Sequence, residues 1–332
     1  MRAVVITGHG GPEVLQVVEV PDPVPGPDEV RVRVRSSALN RADLLQRAGA
    51  YPDPRRRRGD QSPEIPGLEF AGVVESVGER VTRWRLGDPV MGIDAGGGQA
   101  ELICVHERQL APVPATVGVA DAGAIPEVFL TAWDALVVQG GLTSGRWALV
   151  HAGASGVGTA AIQVVAALGG RVAVTCSAGK RSACRDLGAD LVLERSPHDW
   201  ASEALAAVPG GFDMVLDVVG GEEVNRNLRV VATQGTIVQV GLMGGGTTSV
   251  EVGLLLAKRC HWVGTTLRNR PLEQKIALTQ RFTAEVIPLF ERGLLRPVID
   301  CRLPLDAIAE AHRHMAANAN VGKIVIDVEQ PG

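Results

Sequence analysis

Residues 1 to about 120 carry their apolar positions in short bursts. Val30-Arg-Val-Arg-Val-Arg35 alternates strictly, which is the two-residue period of a half-buried strand. Leu15–Val20, Gly72–Val77, Pro89–Ile93 and Ala100–Val105 are further short runs bounded by Gly, Pro or Asp, and Pro21–Pro27 is a turn-rich connection. Short strands with frequent turns predict a small barrel. One helix interrupts it, starting near Asn40 in Asn-Arg-Ala-Asp-Leu-Leu-Gln-Arg-Ala-Gly.

From about Ala120 the period changes. Ala120–Gln139 reads as helical, and strands then alternate with helices. The strands are Trp147–His151, Arg171–Thr175, Asp190–Leu193, Met214–Val218, Thr236–Val240 and His261–Thr266. Helical spacing fills the intervals around Gly156–Leu168, Lys180–Leu187, Asp199–Val208, Glu222–Ala232 and Val252–Lys258. Strands joined by crossover helices predict a doubly wound parallel sheet. After Leu267 come a helix near Leu272–Gly293, a strand at Val298–Leu303, a helix at Leu305–Ala317 and a last strand at Gly322–Val328. This tail is too small for a domain of its own. The expected class is therefore α/β: a β-barrel domain built from 1–121 and 267–332, with a parallel-sheet domain, 122–266, inserted. The cleft between two such domains is the expected site.

Between the strand Trp147–Val150 and the following helix lies Gly153-Ala-Ser-Gly-Val-Gly158. Strand, glycine turn and helix in that order present free N–H groups and a positive dipole end, which suit a pyrophosphate. Gly153, Ser155, Gly156, Val157 and Gly158 are the expected phosphate contacts. Ser155 stands where the second glycine of the common fingerprint usually lies. Where an NAD-binding domain carries an acid for the ribose 2′-hydroxyl, this chain reads Val174-Thr-Cys-Ser-Ala-Gly-Lys-Arg181. Ser177, Lys180 and Arg181 suit a 2′-phosphate instead. Cations at a helix start are unfavourable unless an anion lies nearby. NADPH is the expected cofactor.

Composition narrows the class further. Hydrophobic content of 45% and charged content of 21% are globular values. The 40 glycines among 332 residues fall singly at turns and read as tight connections. A net charge of −4 and a pI near 6.0 argue against nucleic acid or an anionic membrane as main partner. The opening Met1-Arg-Ala-Val-Val-Ile-Thr7 reads as a first strand and not as a signal peptide, and no apolar run reaches spanning length. Cys104, Cys176, Cys184, Cys260 and Cys301 are widely spaced. Reduced thiols in a cytoplasmic protein are the expectation.

These segments together resemble the medium-chain dehydrogenase/reductase superfamily. The residues that carry the likeness are Ala38-Leu-Asn-Arg-Ala-Asp43, Pro66-Gly-Leu-Glu-Phe-Ala-Gly72, Gly87-Asp-Pro-Val90, His151-Ala-Gly-Ala-Ser-Gly-Val-Gly158, Gly241-Leu-Met-Gly-Gly-Gly246 and Asn320-Val-Gly-Lys-Ile-Val325. Among its branches the chain is most similar to the zinc-free NADPH:quinone oxidoreductases, the tumour-suppressor-inducible quinone oxidoreductase included. The resemblance implies a GroES-like catalytic domain, a Rossmann domain, NADPH and a homodimer. It places Asn40 and Asp43 in the active cleft, although Asn followed three residues later by Asp is also a capping arrangement. It puts Tyr51 beside the nicotinamide. It assigns Thr131, Gly241, Leu242, Met243, Arg268 and Lys323 to cofactor contact. Asp217 serves the cleft or caps the next helix.

Zinc-dependent relatives carry a catalytic cysteine and a Gly-His-Glu segment. Asn40 stands at the cysteine position and Leu68, followed by Glu69, at the histidine position, so no metal is expected. His312 and His314 do not share a helix face. The run Arg55–Arg58 reads as a solvated loop, with a basic rim as the sharper alternative. Three functions fit: reduction of a quinone, reduction of an activated C=C bond in an enal, enone or enoyl thioester, and low-turnover nucleotide binding.

Overall fold

Val30, Val32 and Val34 are buried along a ten-residue strand, Glu29–Ala38, while Arg33 between them is exposed. The alternation predicted there is thus a core edge. The computed structural model describes residues 1–55, 62–195 and 199–328, and the chain divides into two units, Met1–Leu130 with Leu267–Gly332, and Thr131–Thr266.

The first unit opens with β1 (Arg2–Ile6), β2 (Leu15–Glu19), β3 (Glu29–Ala38), β4 (Glu69–Val77), β5 (Pro89–Ile93), β6 (Leu102–His106) and β7 (Leu110–Pro112). The second supplies β8 (Trp147–Val150), β9 (Arg171–Cys176), β10 (Leu191–Glu194), β11 (Phe212–Asp217), β12 (Val231–Gln239) and β13 (His261–Gly264). The returning tail adds β14 (Ile299–Pro304) and β15 (Lys323–Asp327) to the first unit. There β14, β15, β3, β4, β5 and β7 neighbour one another in that order, and β6 pairs with β3. Because β15 runs antiparallel to β3, with Val325 opposite Ala38, the chain's last strand ends up against its third. Val32, Val34, Phe70, Ile103, Ile324 and Ile326 fill the core, and Ile308, Ala311 and Met315 of the helix Ile308–Ala316 close it.

The second unit is a six-stranded parallel sheet in the order β10, β9, β8, β11, β12, β13. The order reverses between β8 and its two neighbours, where an open α/β sheet binds ligands at the carboxyl ends of its strands. Buried Leu149, Trp200, Phe212 and Leu228 belong to the core on one face.

Two predicted helices are broken. Ala120–Gln139 divides into Val119–Ala122, Pro126–Trp133 and a π-helical turn, Asp134–Gln139. The Gly123 N–H is spent on Ser36 Oγ at 3.1 Å, and Pro126 restarts the helix at its first position, where its missing N–H costs nothing. The unit boundary falls inside that second helix, nine residues beyond the expected 121. Leu272–Gly293 divides into Leu272–Glu285 and Ile287–Glu291, because Pro288 cannot continue the earlier hydrogen-bond ladder.

The glycine turn is built by contact. A Cβ at Gly153 would lie 2.6 Å from Val174 Cβ, and one at Gly158 would lie 2.3 Å from the Ala152 carbonyl oxygen. Helix Gly156–Ala167 therefore packs directly on backbone. Ser155 caps it, its Oγ accepting the Gly158 N–H at 3.0 Å. Gly158→Ala is expected to destabilise the fold by about 2 kcal/mol, within the range for overpacking, as a lowered urea midpoint with an unchanged slope.

Candidate active site

Three strand ends meet inside the first unit. Asn40 follows β3, Glu69 begins β4 and Lys323 begins β15. The Leu39 N–H donates to the Ile324 carbonyl at 2.9 Å, which sets Lys323 beside Asn40. The Lys323 ammonium donates to Leu39 O and Asn40 Oδ1, each at 2.7 Å, and pairs with Glu69 Oε1 at 2.7 Å. Asn40 Nδ2 donates to the same Glu69 oxygen at 2.9 Å. All three residues are buried. Asn40 also begins the helix Arg41–Arg47, with Asp43 Oδ2 accepting its N–H at 2.7 Å. The capping role and a place in the buried cluster coexist.

Around one ammonium stand three carboxyls, since the Glu127 N–H donates to Glu69 Oε2 at 2.8 Å. Burial raises Asp43 to about 6; N–H bonds from Asn40 and Gly67 and the charge of Lys323 oppose that shift. Burial, and next the negative charge of Glu69, push Glu127 up to about 8. A low-dielectric site with more carboxyls than cations keeps a proton. That shift favours the protonated form of Glu127 at neutral pH. Its one sequence signal is an acid placed within the mostly apolar Ile125–Trp133.

Tyr51 belongs to the same unit. Arg268 lies over its ring at 4.8 Å from the centroid. The buried guanidinium donates to Tyr51 O, Ala95 O and Gln46 Oε1, each at 2.8 Å. Arg268, expected at the cofactor, also holds the tyrosine loop. Arg55 is held by Asp53 at 2.8 Å and Asp94 at 2.6 Å, so it is no free rim charge. Arg56, Arg57 and Arg58 lie outside the described residues.

In the second unit, a buried polar chain joins the strand ends around the glycine turn. The Thr175 hydroxyl meets His151 Nδ1 at 2.8 Å, His151 Nε2 meets Asn227 Oδ1 at 2.7 Å, and Asn227 Nδ2 donates to Asp217 Oδ2 at 2.9 Å. Because the amide nitrogen faces Asp217, its oxygen accepts, so His151 carries its proton on Nε2. Asp217 Oδ1 takes the Val219 and Gly220 N–H groups at 2.6 and 3.0 Å. It ties a turn and does not cap the next helix, which starts after Glu222. A Cβ at Gly241 would lie 2.8 Å from Val218 O, and the Gly244 N–H donates to Val219 O at 2.7 Å, so the loop after β12 rests on that turn. Leu242 and Met243 are exposed; Thr131 is buried. His151 and Asn227 were not singled out in the sequence. The signal for His151 was a polar residue ending an apolar strand.

At the end of β9, Ser177 starts the turn Ala178–Lys180. Arg181 has an internal partner, Glu194, at 3.6 Å, so an anion near this helix start is already present. Its Nε is nevertheless buried with no hydrogen-bond partner among the described residues.

Residues 26–115 match the alcohol dehydrogenase GroES-like domain and residues 187–326 the family described as zinc-binding dehydrogenase. The chain is 33% identical to a Pseudomonas aeruginosa quinone oxidoreductase, over 98% of this chain and 99% of that protein. It is 31% identical to the rat synaptic vesicle membrane protein VAT-1 homolog, over 98% and 84%. Escherichia coli quinone oxidoreductase complexed with NADPH superposes with a TM-score of 0.88 at 26% identity, covering 99% of this chain and 100% of that one. The chain belongs to the medium-chain dehydrogenase/reductase superfamily, in its zinc-free quinone oxidoreductase family, and is an oxidoreductase.

The residues do not fit the zinc that one matching family's description implies. Leu68 offers no ligand atom, and Asn40 and Glu69 are both engaged by the Lys323 ammonium. Among the described residues, Asp300, Cys301 and His314 bring three ligand types within 4.8 Å. Asp300 there is bonded to His314 and the Val321 N–H, and Cys301 packs on the core.

Two outcomes are expected. A carboxyl whose native pKa lies above its unfolded value contributes stability that is lost as pH rises through the native pKa. For Glu127 that window runs from 4.5 to about 8. Glu127→Gln should therefore melt progressively higher than the parent as pH rises to about 8, with a constant difference beyond. Lys323→Met leaves a buried carboxylate without its cation and should destabilise by about 3 kcal/mol or more, measured by urea unfolding at neutral pH.

Proposed function

We propose that this oxidoreductase reduces quinones with NADPH and without a metal. The observation that carries the reading is the Lys323 ammonium between Asn40 and Glu69. An ion pair fills the strand ends where a Lewis acid would otherwise act, which suits an acceptor that is electrophilic by itself. NADPH, when bound, would supply the hydride. The Gly156–Gly158 helix start would hold its pyrophosphate, and Ser177, Lys180 and Arg181 its 2′-phosphate. The glycines at 153 and 158 and the unpartnered Arg181 Nε fit that assignment. Lys323 holds Asn40 in place, Arg268 holds the Tyr51 loop, and neutral Glu127 holds a proton in the same unit.

A second reading, reduction of an activated C=C bond, is favoured by the guanidinium over Tyr51, since a fixed tyrosine suits protonation of an enolate. The test offers NADPH and NADH with an ortho-quinone, a para-quinone and crotonyl-CoA, and follows the nicotinamide absorbance. NADPH loss with quinones supports the proposal, and loss with the thioester alone supports the second reading. Tight binding without turnover would leave a nucleotide-binding protein. In the double variant Lys180→Ala, Arg181→Ala, the Kd for NADPH should rise on the order of tenfold or more, as for lost charge-assisted bonds. The Kd for NADH should rise less.

We further infer a homodimer formed through β13. This strand lies at the sheet's edge, and Trp262 on it, with Val252 and Leu256 of the preceding helix, is exposed. Exposed apolar edges invite pairing. Trp262→Lys should shift the mass measured by light scattering from dimer to monomer. Among the described residues no helix is long and apolar enough to cross a membrane. The unbonded cysteines suit the reducing conditions of a cytoplasm.

A further inference from the structure

A strand normally sends consecutive side chains to opposite faces. In β14 the pairing with β15 slips: Ile299 stands opposite Lys323 and Cys301 opposite Ile324, so Asp300 is an extra residue. Such a bulge bends the strand and re-aims its side chains. Here it lets two neighbours, Asp300 and Cys301, offer atoms to one point. The helix Ile308–Ala316 brings His314 to the same point. Its Nε2 lies 2.8 Å from Asp300 Oδ2, and the ligand atoms of the three residues all lie within 4.8 Å of one another. Asp300 is exposed, and Cys301 and His314 are half-buried, so the cluster is open to solvent. It is not the zinc position of the dehydrogenases, which falls at Asn40 and Leu68.

The three donors differ in kind: a thiol sulfur, an imidazole nitrogen and a carboxylate oxygen. Zinc takes that set with bonds of about 2.0–2.3 Å and tetrahedral angles, which separates donor atoms by roughly 3.5 Å. His314 and Asp300 are already closer than that, and Cys301 is near enough for side-chain shifts of about 1 Å to complete the geometry. The other Asp300 oxygen, Oδ1, accepts the Val321 N–H at 2.9 Å. That bond orients the carboxylate, as the outer partners of metal ligands do. The Val321 turn leads directly into Lys323, whose backbone N–H donates to Val298 O at 2.8 Å. An ion joining β14 to the helix Ile308–Ala316 would brace the segment that delivers the buried ammonium.

We propose that Asp300, Cys301 and His314 bind one zinc ion, with water in the fourth position. On binding, the Cys301 thiol gives its proton to solvent as the sulfur–metal bond forms, and His314 keeps its proton on Nδ1. The hydrogen bond between His314 and Asp300 is exchanged for two bonds to the ion, and no electron is transferred. None of the three residues belongs to the Lys323 cluster, so the site does not depend on the quinone reading.

The test uses the purified full chain, kept reduced, with Zn²⁺ or Co²⁺ alone. The parent should bind one Co²⁺ and show the near-ultraviolet absorption of a thiolate–cobalt bond. Cys301→Ser should abolish that absorption, and Cys104→Ser, at the other half-buried thiol, should retain it. By calorimetry, the Kd for Zn²⁺ should rise on the order of tenfold or more in Cys301→Ser, His314→Gln and Asp300→Asn, as it does when metal sites lose a contact. Asp300→Asn keeps an acceptor for the Val321 N–H. Zn²⁺ should raise the melting temperature of the parent and move those of the three variants much less. Metal-free melting temperatures check folding, and His314→Gln carries the comparison if Cys301→Ser unfolds. A parent without thiolate absorption, or absorption that survives Cys301→Ser, overturns the proposal. Equal Zn²⁺ affinity in the parent and His314→Gln overturns it as well.

Discussion

The Lys323 ammonium is the point on which the first unit depends. It joins the last strand of the chain to residues 39, 40 and 69 in a buried setting, where each acceptor is taken at 2.7 Å. A buried charge needs such partners, because desolvation otherwise outweighs what packing gains. Satisfying Lys323 holds the Asn40 side chain, anchors Glu69, and through Glu69 fixes the N–H of Glu127. The tail is therefore part of the site and not only a closing strand.

The second unit satisfies its buried polar groups through a chain of hydrogen bonds. Thr175, His151, Asn227 and Asp217 come from separate elements, and each donor there finds an acceptor. The chain locks the carboxyl ends of β8, β9 and β11, and Asp217 fixes the turn on which the loop of Gly241 rests. Networks of this kind rigidify when complete. Under the proposed function, backbone that would approach a pyrophosphate gains from that rigidity, since ordering it afterwards would lower affinity.

The charge pattern of the first unit points toward its chemistry. Asp43, Glu69 and Glu127 outnumber Lys323 at the strand ends, so a proton stays on the cluster. Asp53 and Asp94 share Arg55. One unit thus holds a carboxyl whose pKa is raised beside an ammonium with all its partners in place.

Local periodicity by itself determined much of this protein. The alternation at Val30–Arg35 and the runs from Trp147 to Thr266 predicted strands in both of the larger sheets, and the glycines at 153 and 158 marked where a helix meets a strand. Asn40 and Leu68 ruled against a zinc site because ligand chemistry is a property of the residue itself. Where the pattern failed, local chemistry was competing with a distant partner. Gly123 gives its N–H to Ser36, and Pro288 breaks a helix that apolar spacing had run through. Only the tertiary structure decided who neutralises whom. Arg181 looked free until Glu194 arrived on the next strand, and Glu127 was one acid among many until Glu69 and Asp43 surrounded it. Coulomb interactions and desolvation depend on distance and burial, and neither follows from position along the chain.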